Sequence, residues 1–277
     1  MSEGGFFLET DLQQIPFAFL SNRGRVRQNN EDRLVVRRFI TNETPPRFML
    51  LAVLSDGVGG HRAGEIAAQI GVSAVTDFFG KLSTLDDPRK ALRDSVVSAN
   101  LAVLEASTAN LNLEGMGATC ICALILDKTL YLANLGDSRA YLLRGRAIHQ
   151  LSFDHNWLEN IDSIDLPGVK SITRNHPLAH VLSRYLGSVH PALVDIRIRP
   201  EKKLFQNKAL TSTVLELHKG ERILLCSDGL TDMLSDEEIK NAVQAKTLQK
   251  DVQQLVRCAL EKGGHDNVSV ILAEIPK

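Results

Sequence analysis

Two apolar runs in this chain each stop at the tripeptide Ser-Asp-Gly. Residues 49–54 lead into Ser55-Asp56-Gly57, and residues 223–226 lead into Ser227-Asp228-Gly229. Short apolar runs bounded by turn residues are typical of strands. The pattern therefore predicts two strands, and it puts a carboxylate at the end of each. Strands of the later meander are apolar on both faces, Cys120 to Leu126 most clearly, which predicts burial between a second sheet and a helix layer.

Further acids also stand at strand ends or in Gly-rich turns, namely Glu31, Asp32, Asp137 and Asp266. Acids in such positions can converge on one hard cation without leaving an unpaired charge in the core. Carboxylates without clustered His or Cys favour Mg²⁺ or Mn²⁺ over zinc. For a single Ser-Asp-Gly copy, ordinary turn chemistry is the competing explanation, because tight turns favour Asp and Gly.

The composition is that of an ordinary globular protein, with 277 residues, of which 44% are apolar and 23% charged, and a net charge of -1. This balance offers no basic surface for nucleic acid or an anionic membrane. The four cysteines lie in apolar or helix-like stretches, as reduced thiols of a cytosolic protein do. Cys120-Ile121-Cys122 lacks the second Cys or His pair of a structural zinc site. With no basic N-terminal region and no long apolar segment, we expect a soluble, cytoplasmic protein.

The first half of the chain is predicted to form a hairpin followed by two helices. Residues 33–40 and 48–54 are strand-like and flank a polar, Pro-rich turn. After them, a helical period gives one apolar face made of Ala63, Ile66, Ala67, Ile70, Ala74 and Phe78. A second helix is expected to begin with Asp87 as N-cap and Pro88 at the first helical position, and to present Leu92, Val96, Ala99 and Val103.

The second half is predicted to be mostly β, with two more helices. A meander of strands covers residues 119–151, and further strands are expected at 193–198, 222–226 and 268–273. Helices are expected at 236–245 and 250–262, and a short helix-like piece at 178–186. Residues 152–190 are otherwise polar and irregular, which is typical of a flap beside a site.

These elements favour the α+β class. We expect a lead-in over residues 1–16 and one domain over residues 17–277. The domain is predicted to be a four-layer α-β-β-α sandwich, in which two antiparallel sheets pack face to face and antiparallel helix pairs cover their outer faces.

Seven motifs, in order along the chain, resemble those of a known family. They are Arg27-Gln28-Asn29-Asn30-Glu31-Asp32, Ser55-Asp56-Gly57-Val58-Gly59-Gly60-His61, Gly117-Ala118-Thr119, Asn134-Leu135-Gly136-Asp137-Ser138-Arg139, Leu151-Ser152-Phe153-Asp154-His155, Ser227-Asp228-Gly229-Leu230 and Asp266-Asn267-Val268-Ser269. The family is the metal-dependent serine/threonine protein phosphatases of type 2C (PPM family) in their bacterial form. The resemblance spans residues 27–269.

The resemblance implies a ligand set for two Mn²⁺ or Mg²⁺ ions and for a third, weaker ion. Asp56 would bridge the two core ions, with the carbonyl of Gly57 on one of them. Asp228 and Asp266 would complete one core site, and Asp32, with Glu31 beside it, would hold the other ion directly or through water. Asp137 would form the third site together with Asp228.

The implied activity is hydrolysis of phosphoserine and phosphothreonine in proteins by a metal-activated bridging water, without a covalent intermediate. Two metal ions can produce such a nucleophile near neutral pH and share the charge of the phosphoryl oxygens. Arg27 would bind the substrate phosphate, because its planar fork of donors matches a phosphate group. Phosphorylated proteins, together with a Ser/Thr kinase that makes them, are the expected partners of a monomeric enzyme that binds no nucleic acid.

The remaining motif residues have less specific expectations. His61 either protonates the leaving alkoxide or caps the helix that follows it. Asp154, His155 and Asn267 are expected around the ligands rather than among them, and Gly117-Ala118-Thr119 is expected to be structural. Arg184 is a further candidate for contact with the substrate. Two other functions compete with this one, a phosphatase-like binding protein without catalysis and a two-metal phosphodiesterase or nuclease.

Overall fold

The computed structural model describes residues 7–8, 15–41, 43, 46–58, 63–82, 84–157, 181–199, 212–244 and 247–276. Within them the strands are β1 Phe7–Leu8, β2 Phe17–Asn22, β3 Arg33–Ile40, β4 Phe48–Ser55, β5 Gly57–Val58, β6 Gly117–Ala118, β7 Cys120–Leu126, β8 Thr129–Leu135, β9 Arg139–Arg144, β10 Ala147–Gln150, β11 Leu215–Glu216, β12 Arg222–Cys226 and β13 Val268–Glu274. The α-helices are α1 Gly64–Gly80, α2 Pro88–Ala109, α3 Asp228–Thr231, α4 Asp236–Ala242 and α5 Leu248–Glu261, and a 3₁₀-helix spans Leu111–Leu113.

Two antiparallel sheets form the centre of the molecule. The first has the strand order β1-β3-β4-β7-β8-β11, and the second has the order β10-β9-β12-β13-β2. The short strands β5 and β6 make a separate ladder in which Gly57 pairs with Ala118. The lead-in contributes β1 to the first sheet, and Ile15 is buried between the sheets.

The side chains of β4 show why its sequence is apolar without alternation. Leu50, Ala52 and Leu54 belong to the core between the two sheets. Met49, Leu51 and Val53 belong to the core that α1 and α2 form with the first sheet. Because successive side chains of a strand point to opposite faces, both faces of β4 need apolar residues.

A third core lies between the second sheet and the helices α3, α4 and α5. Its members include Leu224 and Cys226 of β12, whereas Ile223 and Leu225 face the first sheet. The layers therefore run helix, sheet, sheet, helix, and the predicted α+β sandwich is confirmed. Among the described residues, none of the helices is both long and apolar enough to cross a membrane.

The second predicted helix is confirmed in detail. Asp87 accepts hydrogen bonds from the backbone of Arg89 and Lys90, at 3.0 and 3.3 Å, and so caps α2. The predicted apolar positions are all buried, namely Leu92, Val96, Ala99 and Val103.

The apolar face predicted for the first helix is partly wrong. Ile66 is 36% exposed, whereas Val72 and Val75 are buried against the sheet and α2. Polar residues recur at four-residue steps from Glu65 to Asp77 and mark the solvent-facing side of the helix, and Ile66 lies on that side.

Two predicted elements in the second half do not form. Residues 193–198 make isolated bridges rather than a strand, because the Asp195 carboxylate accepts the backbone N–H of Arg197 at 2.9 Å. Residues 181–186, the described part of the predicted piece 178–186, are not helical. The Leu186 N–H donates to the Ala118 carbonyl at 2.7 Å instead of to a helical neighbour.

Residues 158–180, which include most of the predicted flap, lie outside the described residues. The two ends of this segment are close together. Asn156 and Leu182 form a β-bridge, and the Trp157 N–H donates to the Val181 carbonyl at 3.0 Å.

Candidate metal centre

The first Ser-Asp-Gly joins the end of β4 to the residue before β7. The Ser55 hydroxyl donates to the Thr119 carbonyl at 2.5 Å. The Asp56 N–H donates to Thr119 Oγ1 at 3.0 Å, and the Thr119 N–H donates to the Asp56 carbonyl at 2.8 Å. A Cβ on Gly57 would lie 2.4 Å from the carbonyl carbon of Gly64, so only glycine permits this approach to α1.

In the second Ser-Asp-Gly, at the end of β12, the serine again makes hydrogen bonds and the glycine again lies against another backbone. The Ser227 hydroxyl donates to Asp32 Oδ2 at 2.9 Å and accepts the Ser269 N–H at 3.0 Å. A Cβ on Gly229 would lie 2.0 Å from the Asn267 carbonyl oxygen. In both copies the serine anchors the strand end, and the glycine lets another backbone approach beside the acid.

The acids of the two copies meet in one cluster with Asp32 and Asp266. Burial raises the pKa of Asp56 well above its ordinary range, and the charges of Asp32, Asp228, Asp137 and Asp266 raise it further. Burial also raises the pKa of Asp228, helped by the charges of Asp137, Asp232 and Asp266. Burial raises the pKa of Asp32 to about 6, although hydrogen bonds from Ser269 and Ser227 oppose the shift.

Asp137 joins this cluster from the loop after β8. Gly136 adopts a φ of +126°, and a Cβ there would lie 2.6 Å from the Thr119 side chain. Burial and the charge of Asp154 raise the pKa of Asp137 to about 7. The turn is held by the Ser138 hydroxyl, which shares a 2.8 Å hydrogen bond with Thr119 Oγ1.

The donor set of the cluster fits a hard divalent cation. Asp56 interacts side chain to side chain with both Asp32 and Asp228. Asp32 Oδ1 and Asp228 Oδ1 are buried without a hydrogen-bond donor. Carboxylates that face one another need a shared proton or a cation, and oxygen ligands are those that Mg²⁺ and Mn²⁺ prefer.

Within the described part of the chain, no three Asp, Glu, His or Cys side chains are arranged as the finished ligand set of one ion. The cluster is a candidate cation site because several carboxylate charges act on Asp56 and two buried carboxylate oxygens have no hydrogen-bond donor.

Arg27 lies at the rim of the cluster. Its Nη2 donates to Asp266 Oδ2 at 2.7 Å, and its side chain is 49% exposed. This hydrogen bond, with the charges of Asp266, Glu31 and Asp228, raises the pKa of Arg27 although burial opposes the shift. An exposed ion pair of this kind is weak, so the guanidinium can exchange Asp266 for another anion.

Asn267 fixes the loop that carries Glu31. Its Oδ1 accepts the Glu31 N–H at 2.8 Å, and its Nδ2 donates to the carbonyls of Arg23 and Asn29 at 2.8 and 2.9 Å. Burial and the nearby Glu65 raise the pKa of Glu31. Both residues therefore border the acids, and Asn267 shapes the loop between β2 and β3.

His155 and Asp154 lie behind Asp137. Arg139 donates to Asp154 through Nε and Nη2, with distances of 2.6 to 3.1 Å. His155 Nδ1 accepts the Gly136 N–H at 3.1 Å, which leaves its proton on Nε2, 3.6 Å from Asp195 Oδ2. The His155 carbonyl also accepts the Ser183 N–H at 2.8 Å, so His155 connects the Asp137 loop to the chain after residue 180.

The two remaining predicted positions are His61 and Arg184. His61 lies in the segment 59–62, outside the described residues. Arg184 is described, and its Nη1 donates to the Leu193 carbonyl at 3.1 Å on the surface.

Sequence reasoning missed several groups that shape the site. Asp232 adds charge to Asp137 and Asp228, and its position four residues after Asp228 was an available signal. Thr119 and Ser227 support the acids with hydroxyl groups. Their partners are 63 and 195 residues away in sequence, so spacing could not reveal these contacts.

Comparison with known proteins identifies the family. Residues 25–273 match the family model described as protein phosphatase 2C. The chain is 31% identical over 260 residues to the serine/threonine phosphatase stp of Listeria monocytogenes, covering 92% of this chain and 94% of that protein.

Solved structures agree with this result. The serine/threonine phosphatase of S. agalactiae superposes with a TM-score of 0.77 at 27% identity, covering 94% of this chain and 99% of that one. The catalytic domain of the serine threonine protein phosphatase PstP, in complex with two manganese ions, gives a TM-score of 0.73 at 30% identity, covering 95% of this chain and 99% of that one. The resemblance found in the motifs is confirmed, and the chain belongs to the protein phosphatase 2C family.

Proposed function

We propose that this chain hydrolyses phosphoserine and phosphothreonine in proteins with the help of bound Mn²⁺ or Mg²⁺. The observation that carries the proposal is the cluster around Asp56, in which burial and the charges of four neighbouring acids raise the pKa of Asp56 and two buried carboxylate oxygens lack donors. Membership of the protein phosphatase 2C family, and the manganese-bound structure of a relative, support the same activity.

The residues divide into ligands and a phosphate-binding group. Asp56 is proposed as the shared ligand of two ions, with Asp228 and Asp266 on one ion and the Gly57 carbonyl and Asp32 on the other. Asp137 with Asp228 is proposed as the third, weaker site. The charges of Asp32, Asp228, Asp137 and Asp266 all raise the pKa of Asp56, as expected of groups close enough to share cations.

When bound, a pair of divalent ions supplies a nucleophilic water at neutral pH and neutralises charge on the phosphate. The chain itself has three tasks. Arg27 binds and orients the substrate phosphate from the rim, exchanging its contact with Asp266 for the phosphate oxygens. Ser227 and Thr119 hold Asp32 and the backbone of Asp56 in place. The surrounding core excludes water from the buried faces of the acids.

The partners follow from the same proposal. Phosphoproteins produced by a Ser/Thr kinase are the proposed substrates, and the names of the relatives support the choice of serine and threonine. We propose that the chain acts as a cytoplasmic monomer. His61 stays the proposed source of the proton for the leaving alkoxide, with helix capping as its alternative.

The decisive test is Asp228→Asn, which removes a ligand charge and keeps the side-chain shape. We expect release of phosphate from a phosphothreonine peptide with Mn²⁺ to fall at least about 100-fold, the order of loss when one preorganised charged group is removed from a transition-state site. The matched control is Asp77→Asn, an exposed acid on α1, which should retain wild-type activity.

Chelation separates this activity from its alternatives. Wild-type phosphate release should stop with excess EDTA and return with Mn²⁺, from phosphoserine and phosphothreonine peptides alike. Release that persists with chelator or in Asp228→Asn would overturn the ligand assignment. Absence of release from any phosphopeptide would favour a binding protein over an enzyme.

A further inference from the structure

Thr119 lies between the two loops that carry Asp56 and Asp137. It is 1% exposed and precedes β7, in a pocket that also holds the buried hydroxyls of Ser55 and Ser138.

The contacts to the Asp56 loop use both the side chain and the backbone of Thr119. Oγ1 accepts the Asp56 N–H at 3.0 Å, and the Thr119 N–H donates to the Asp56 carbonyl at 2.8 Å. The backbone on either side of the Asp56 side chain is thus held directly. The Ser55 hydroxyl adds a third bond, to the Thr119 carbonyl, at 2.5 Å.

The contacts to the Asp137 loop use the same hydroxyl and the methyl group. Oγ1 shares a 2.8 Å hydrogen bond with Ser138 Oγ, in which either hydroxyl can donate. Cγ2 lies against Gly136, where an added Cβ would be only 2.6 Å away. The residues before and after Asp137 therefore both rest on Thr119.

We propose that Thr119 is a positioning residue, which holds the Asp137 loop against the Asp56 loop and thereby sets the affinity of the weaker cation site that Asp137 forms with Asp228. The inference rests on the proposed function, since it concerns divalent cations held by these acids. A bond network that fixes ligands from behind lowers the cost of assembling them around an ion.

One oxygen atom has both roles in this arrangement. Removing Oγ1 leaves the Asp56 N–H and the Ser138 hydroxyl without their shared partner. The two loops are then no longer hydrogen-bonded to the same atom. Removing only the methyl group leaves both hydrogen bonds available. The structure thus predicts weaker cation binding when the hydroxyl is removed and unchanged binding when only the methyl group is removed.

The test is calorimetric titration of the full chain with MnCl₂, which reports binding without relying on catalysis. Thr119→Val keeps the side-chain shape and removes Oγ1. We expect its affinity for the weakest Mn²⁺ step to fall roughly 10-fold, the order seen when groups supporting metal ligands are changed. Thr119→Ser restores the hydroxyl and should retain the wild-type affinity.

Ser138→Ala gives a second test that leaves the Asp56 contact intact. It should weaken the same Mn²⁺ step and leave the tighter steps unchanged. The double variant Thr119→Val/Ser138→Ala should bind no more weakly than Thr119→Val, because both changes break one hydrogen bond. Ser138→Ala alone carries the test if Thr119→Val fails to fold.

Several outcomes would overturn the inference. They are wild-type titration curves for Thr119→Val and Ser138→Ala, equal losses in Thr119→Val and Thr119→Ser, or additive losses in the double variant. In each of these cases a wild-type protein that binds Mn²⁺ and releases phosphate leaves the proposed function standing. A wild-type protein that binds no Mn²⁺ would overturn the proposed function instead.

Discussion

At the scale of single residues, the two Ser-Asp-Gly glycines serve close approach rather than a special turn. Neither Gly57 nor Gly229 has a positive φ. Each instead faces another backbone at a distance that no Cβ could occupy, at Gly64 and at Asn267. The turn explanation of these tripeptides therefore accounts for neither glycine.

Gly229→Ala tests this contact. Its Cβ would meet the Asn267 carbonyl oxygen at 2.0 Å, so the backbone beside Asp228 and Asp266 must shift. We expect a loss of about 1–3 kcal/mol in the free energy of unfolding, as for other overpacked sites, together with weaker Mn²⁺-dependent activity. Urea denaturation and phosphopeptide assays measure the two effects.

Gly80→Ala is the matched control, because nothing lies within 4 Å of its added Cβ and its φ is not positive. It should unfold at the wild-type urea concentration or slightly above it. Equal midpoints for the two variants would contradict the close-approach explanation.

The acids could be predicted from the sequence, whereas the groups that hold them could not. An acid at the end of an apolar run is visible locally, and Asp56 and Asp228 are such residues. The hydroxyl of Ser227 supports Asp32, which lies on a different strand connection, and only folding brings them together. Asp195, beside His155, gave no local signal at all.

At the scale of elements, the two long helices cover the first sheet with different kinds of buried face. Helix α2 has polar residues on its outer side, so its apolar stripe stands out. In α1 polar residues recur at four-residue steps from Glu65 to Asp77 and mark its outer side. Small residues on the opposite side, such as Ala67 and Gly71, let the helix lie close to α2 and the first sheet. The exposed position of Ile66 therefore follows from the polar period rather than from the apolar one.

A matched pair of substitutions tests the buried face of α1. Val75 is fully buried and Ile66 is 36% exposed. We expect Val75→Ala to lower the free energy of unfolding by about 2 kcal/mol, through lost burial and a cavity, and Ile66→Ala by less than about 1 kcal/mol. Chemical denaturation gives both values, and a larger loss for Ile66→Ala would favour the face predicted from sequence.

At the scale of the whole molecule, the layered architecture follows from strands that are apolar on both faces. That feature is visible in the sequence of β4 and β7, and it requires a cover on each side. The short strands β5, β6 and β11 could not be predicted, because two-residue pairings depend on contacts that are distant in sequence. Most of the fold was therefore predictable from local pattern, and the pairings nearest the site were not.

The cluster of buried acids around Asp56 predicts how the stability of the fold depends on pH when no cation is bound. The pKa of Asp32 is raised from 3.8 to about 6, and that of Asp137 from 3.8 to about 7. The folded state therefore binds more protons than the unfolded state between pH 4 and 7. Because of this, these two groups destabilise the fold progressively as pH rises through that window.

We expect the free energy of unfolding of EDTA-treated protein to fall as pH rises from 4 to 7, and Mn²⁺ to restore stability above that window. Asp32→Asn should show a smaller pH dependence, because its amide carries no charge at any of these pH values. Urea denaturation at several pH values, with and without Mn²⁺, measures these effects. An Asp32→Asn protein with the full wild-type pH dependence would contradict the assignment.

The β-bridge between Asn156 and Leu182 has a consequence for the evolution of the molecule. The chain leaves and returns at neighbouring points, and the bridge holds these two points together. The entropic cost of closing a loop rises only slowly with its length. The number of residues between Asn156 and Leu182 can therefore change among relatives at little cost in stability.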